Sequence, residues 1–179
     1  MKENLLRSGN LLLFVMAALV LASLQTSLWF QIFGYFPGPA LWIPCLVYIA
    51  LFRSTLEAAL FSYCLGVAFA TMTTMPEGLL MIVCLAIVLS TQILKSRIYW
   101  TSSSYFMMVS GFAALIFHLS HWIASYIVGD HPLTSPNIMD WLIEALLTPL
   151  AAPPLFPIFQ WFDKVTDREP PTEASAQVS

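Results

Sequence analysis

The apolar positions of this chain fall into six blocks, 10–31, 38–52, 55–74, 78–95, 104–128 and 140–162, separated by short polar or proline-bearing breaks. A helix rising 1.5 Å per residue needs about 20 apolar residues to cross a hydrocarbon layer roughly 30 Å thick. The second block is short and interrupted by Pro44, so it reads either as a crossing or as a re-entrant segment. The first block follows MKENLLRSGN and runs on through LQTSLWFQIF without a clear A-x-A site. It therefore reads as a retained first helix that also serves as the insertion signal, not as a cleaved leader.

Charge separates the two topologies. The seven basic residues are Lys2, Arg7, Arg53, Lys95, Arg97, Lys164 and Arg168. With six crossings and a cytoplasmic N-terminus, all of them lie inside, and the outer loops hold Glu77, Asp130, His131 and Asp140. If the second block fails to cross, most of the basic residues move outside. Enrichment of Lys and Arg on the cytoplasmic side favours six helices with both ends inside. The expectation is an all-α integral membrane protein: a six-transmembrane-helix domain over 1–162 and a disordered polar cytoplasmic tail over 163–179.

Composition agrees, with 59% hydrophobic residues, 9% charged and a mean hydropathy of +0.78. A soluble domain usually carries about 25% charged residues, so the solvent for this surface is membrane lipid. The basic residues are scattered, which gives no footprint for nucleic acid and no polybasic site for anionic headgroups. Cys45, Cys64 and Cys84 stand singly in apolar runs, as packing cysteines rather than a disulfide or zinc framework.

Within this frame a few residues carry most of the chemistry. In LFRSTLEAAL, Arg53 marks a tight cytoplasmic hairpin and its long side chain can snorkel to the headgroups. Glu57 lies at i+4, close enough to pair, and in a first helical turn where the dipole favours an anion. The two are either a topology anchor with its counter-ion or a polar contact to another membrane helix. Ala58, Ser62, Gly66 and Ala70 recur every four residues, a small-residue stripe that lets a neighbouring backbone approach; Ala18, Ala22 and Thr26 form a lesser one.

On the fifth helix Gly111, Ala114, His118, His121 and Ser125 share one face, which should meet protein rather than lipid. The histidines read as hydrogen-bonded packing residues near the outer face, with Glu144 completing a polar cluster; an H-x-x-H metal site would need further ligands, for which only Glu144 and His131 are plausible, and no metal is expected. The sixth helix carries Pro149, Pro153, Pro154 and Pro157, each removing a backbone donor and freeing a carbonyl one turn earlier. It should be kinked and packed against protein. No G-x-S-x-G, H-E-x-x-H, phosphate-cradling loop or other catalytic constellation is present, so no enzyme and no cofactor are expected.

The order of these features resembles the rod shape-determining protein family MreD. The resemblance runs through LWIPCLVYIALFRSTLEAALFSYCLG, GLLMIVCLAIVLSTQIL and the proline-rich LIEALLTPLAAPPLFPIFQWF, over roughly residues 10–165. One position departs from it: many members carry an aspartate four residues after the glycine of the third helix, where this chain has Ala70. The resemblance implies a fold like the substrate-binding subunits of energy-coupling-factor vitamin transporters. It also implies a non-enzymatic scaffold in the bacterial inner membrane. Its implied partners are MreC and, through it, the MreB filament, the glycosyltransferase RodA and a class B penicillin-binding transpeptidase. Arg53 and Glu57 would then be a hairpin anchor and a docking point. The rival reading is a vitamin-transporter substrate-binding subunit, with an outward pocket lined by His118, His121, Trp122 and Glu144. A small transporter using the two histidines as a proton relay is a third.

Overall fold

The computed structural model describes residues 2–72, 76–97, 102–128 and 137–167, and among these the chain is helical without any strand. Helix α1 (Lys2–Leu24) passes through a π-helical turn (Gln25–Trp29) into α2 (Phe30–Phe33), forming one rod. Then come α3 (Ile43–Phe52), α4 (Thr55–Ala70), α5 (Glu77–Arg97), α6 (Ser103–Val128) and α7 (Ile138–Val165). Among the described residues, four stretches are long and apolar enough to cross a membrane: Gly9–Phe33, Glu77–Arg97, Ser103–Ile127 and Ile138–Val165. The protein is thus a helical membrane protein. Six full-length helices are not found, because α3 and α4 have only 10 and 16 residues.

The short α3 is the centre of the bundle. It is apolar on every side, and a helix of that kind is stable only when surrounded. Ile43 to Leu51 are all buried, packed among α1, α4, α5, α6 and α7. The depth that α3 leaves uncovered is taken by non-helical chain, of which Pro39 and Ala40 are buried. Irregular backbone is tolerated at membrane depth only where protein satisfies its polar groups. Neighbouring side chains do so here. The Ala40 N–H donates to Thr148 Oγ1 (2.9 Å) and the Leu41 N–H to Gln25 Oε1 (3.1 Å). At the far end of α3, Gln92 Nε2 donates to the Ala50 carbonyl (2.7 Å). Side chains from three helices thus satisfy the chain entering α3 and a carbonyl of its last turn, groups of the kind that helix ends leave without intrahelical partners.

The chain is fitted closely around this segment. Gly34 ends α2 at φ +62°, a conformation L side chains rarely adopt. A Cβ on Gly38 would stand 2.8 Å from Trp29 Cδ1, while Trp29 Nε1 donates to the Phe36 carbonyl (3.0 Å). Gln25, the first residue of the π turn, is the one that reaches Leu41. Such turns often re-aim a side chain for a specific contact.

The small-residue stripe of α4 faces α5 inside the bundle. Ala58, Ser62 and Gly66 are buried and Ala70 is half-buried. A Cβ on Gly66 would lie 3.1 Å from Met81 Cγ and 3.3 Å from Met81 Cα. In α1, Ala18 is buried and Ala22 half-buried, but Thr26 is exposed and bonds back to the Ala22 carbonyl. Helix α7 runs unbroken through all four prolines. Pro149 and Pro153 are half-buried, whereas Pro154 and Pro157 face outward, so packing against protein holds for one pair and not the other. The Ala145 carbonyl, which Pro149 cannot bond, lies beside Gly111, where a Cβ would be 3.2 Å from that oxygen and 3.1 Å from Pro149 Cγ. The glycine makes room for the freed carbonyl and the proline ring together.

Two expectations need correction. Cys45 and Cys84 are buried, but Cys64 is exposed. It lies two residues from the buried Ser62, which on a helix is the opposite face. The polar tail does not begin at 163, because α7 extends to Val165 and Asp163 is fully buried. Residues 168–179, most of the expected tail, lie outside the described residues.

Candidate functional site

The two groups of polar side chains inside the bundle sit at opposite ends. The first gathers where α1 starts and where α3 and α7 finish. Arg53 is the C-cap of α3, with extended backbone (φ −119°, ψ 170°), and its N–H still bonds the Ile49 carbonyl (3.0 Å). Ser54 follows as the N-cap of α4, its Oγ accepting from the Glu57 N–H (3.3 Å). The two-residue link makes the tight hairpin that Arg53 marked in the sequence.

The Arg53 side chain does not snorkel outward but turns into the bundle, towards a distant carboxylate. It is 9% exposed and pairs through Nη2 with Oδ1 of Asp163, 110 positions away in the chain. The same carboxylate accepts from Tyr48 Oη (2.7 Å) and Asn10 Nδ2 (3.2 Å). Asn10 Nδ2 also donates to Thr166 Oγ1 (2.6 Å), and Arg53 Nη2 reaches Asn10 Oδ1 (3.4 Å). Three donors, one from α1 and two from α3, thus converge on one fully buried carboxylate of α7, which satisfies most of its lone pairs. Arg53 Nε is buried and has no hydrogen-bond partner among the described residues. An aromatic layer seals the network from the rest of the core. Tyr48 stacks on Phe14 (centroids 5.5 Å apart) and lies 5.3 Å from Phe159.

Asn10, Tyr48, Asp163 and Thr166 were not marked by sequence reasoning. One signal for them exists: Asp163 is a lone acid ending the aromatic run FQWF, on the side of the membrane assigned to Arg53. A charge at that depth needs an opposite charge or a dense set of donors.

The second group lies between α6 and α7 at the other end. The face predicted for α6 does meet protein: Gly111, Ala114 and Ser125 are buried and His118 and His121 half-buried. His118 Nε2 is 3.1 Å from Glu144 Oε2, and the imidazole stacks on Trp141 (5.4 Å, 12° between planes). His121 instead stacks on Phe117 (6.0 Å, 6°). His131 lies outside the described residues. Among the described residues no group of three or more His, Cys, Asp or Glu side chains could hold a metal ion.

Among the described residues, two open apolar grooves lie on the outer surface of the bundle. One of about 380 Å³ runs between α1 and α4, along Met16, Val20, Ser23, Ser27 and Met72. The other, of about 370 Å³, runs between α6 and α7, along Met108, Phe112, Leu115, Leu142 and Leu146. The chain matches no family model, no curated protein and no solved structure.

Proposed function

We propose that this protein is a non-catalytic, MreD-like scaffold of the bacterial inner membrane, which holds an MreC-like partner and through it the synthases of cell elongation. The observation that carries this reading is the order of features along the chain: a short second helix, a tight basic hairpin, a glycine-bearing next helix and a proline-rich last one. The architecture is compatible with it. Both groups of polar side chains make contacts between helices, Asp163 with α1 and α3 and His118 with α7, which suits a body that keeps a fixed surface for partners.

A six-crossing topology with both ends cytoplasmic belongs to this reading. Arg53, Asn10 and Asp163 meet at one end of the bundle. The Gln92 contact to Ala50 brings the end of α5, with Lys95 and Arg97, to the same level. From Gln25 to Asn10, and from Thr148 to Asp163, is about 22 Å of helix axis in each case. Extended by the buried chain before it, α3 covers most of a bilayer. In this arrangement the partners dock on exposed helix faces and on the α3–α4 hairpin, where Arg53 and Glu57 sit.

The test is depletion of the protein in the bacterium that makes it, followed by microscopy. Rounding of rod-shaped cells at unchanged nutrient uptake is expected. Cells that stay rod-shaped and lose uptake of a vitamin would replace the scaffold reading with the transporter one.

A further inference from the structure

The scaffold reading makes no use of the chemistry available to His118 and Glu144. Both lie on membrane-spanning helices, where ionisable groups are costly and rarely occur without a role. Their side chains are only 13% and 17% exposed, and the facing atoms are 3.1 Å apart across α6 and α7. The ring is held flat by Trp141, one turn before Glu144 on α7. The carboxylate oxygen is close enough for an ion pair but off the line of a hydrogen bond, so His118 Nε2 has no hydrogen-bond partner among the described residues. One turn along α6, Trp122 Nε1 is likewise buried and has no hydrogen-bond partner among the described residues.

An imidazole and a carboxyl at this separation are matched to a single proton. With one proton the pair is either imidazolium beside carboxylate or neutral ring beside carboxylic acid, and both forms carry no net charge. A second proton leaves an imidazolium facing an acid; loss of the first leaves a carboxylate facing a neutral ring. Either excess charge is expensive where the dielectric constant is low. Glu144 is only about 9 Å of helix from the start of α7, close enough to the interface to exchange protons with water.

We propose that His118 and Glu144 form a proton-binding site that holds α6 and α7 together when it carries one proton and loosens them when it carries two or none. The other ionisable groups at this end are few. On α6 they are His121, turned onto Phe117, and Tyr126, packed on Trp122. On α7 there is Asp140, which accepts from Asn137 Nδ2 (2.6 Å). On α5 there is Glu77, in its first turn. The parts of α1 and α3 at this level offer none, α3 presenting Trp42 to Phe117. Asp130 and His131 lie outside the described residues.

The experiment is a double-mutant cycle on the full chain in lipid nanodiscs, using wild type, His118→Gln, Glu144→Gln and the double variant. Thermal unfolding is read from about pH 5 to about pH 9, the range in which histidine titrates. The proposal expects a coupling between the two substitutions that peaks within this range and fades towards both ends. A coupling of zero, or one that is the same at every pH, overturns it. ¹⁵N-histidine NMR of the wild type provides a readout that does not depend on the variants folding. The His118 ring signals should respond to pH, and the response should differ between the wild type and Glu144→Gln. Ring signals that do not respond to pH, or whose response ignores the Glu144 substitution, overturn it as well.

Discussion

Replacing Asp163 by alanine removes the one carboxylate on which α1, α3 and α7 converge. The Arg53 guanidinium, 9% exposed, then loses the carboxylate it pairs with and keeps the long contact to Asn10 Oδ1, and the buried Tyr48 hydroxyl loses its acceptor. Breaking a buried ion pair by removing one partner costs about 3–5 kcal/mol, mostly because the remaining charge is left uncompensated. For a chain of this size each kcal/mol corresponds to about 2–4 °C, so Asp163→Ala should lower the melting temperature by roughly 6–20 °C. The natural cysteines supply the assay. Cys45, its Sγ 3.4 Å from the Phe14 carbonyl, and Cys84 are buried and should react with a thiol dye only on unfolding. Exposed Cys64 is first changed to Ser to remove background. Because an apolar pair can replace a buried ion pair at little cost, Arg53→Met with Asp163→Leu should recover most of the loss. A melting temperature for Asp163→Ala within about 2 °C of wild type, the range of an ordinary surface change, would refute the reasoning. So would a charge-free double variant as unstable as the single one.

Other expectations rest on single contacts. Thr148→Val keeps shape but strands the Ala40 N–H, which should cost about 1–3 kcal/mol in the same assay. Gly111→Leu must displace Pro149 and the Ala145 carbonyl, and should cost about 1–3 kcal/mol. Gly78→Ala, where nothing lies within 4 Å, should be neutral or stabilising by up to about 1 kcal/mol. In the folded wild type, a membrane-permeant maleimide should modify Cys64 alone, as read by intact-protein mass spectrometry.

Helix ends and faces were the most legible features. The blocks 78–95 and 104–128 lie within three residues of α5 and α6, because apolar length and flanking charge both mark them. The α4 stripe and the α6 histidine face follow from helical periodicity, which composition cannot hide. Contacts between distant segments were not legible. Arg53 has an acid four residues on, and local spacing offers Glu57 as its partner. The carboxylate it takes is 110 positions away, in a stretch whose polar composition reads as tail. Asn10 sits at the edge of the first apolar block, and nothing local distinguishes it from a solvated interfacial residue. The 10-residue length of α3 was also hidden, because buried irregular chain such as Pro39 and Ala40 is as apolar as a helix.

The central claim is that this bundle works by holding partners. Affinity purification of the tagged protein from native membranes in mild detergent, with mass spectrometry of what co-purifies, tests it most directly. The account predicts recovery of an MreC-like protein together with the elongation glycosyltransferase and transpeptidase, and reduced recovery with Asp163→Ala. Recovery instead of a membrane coupling protein with paired ATPases would contradict it.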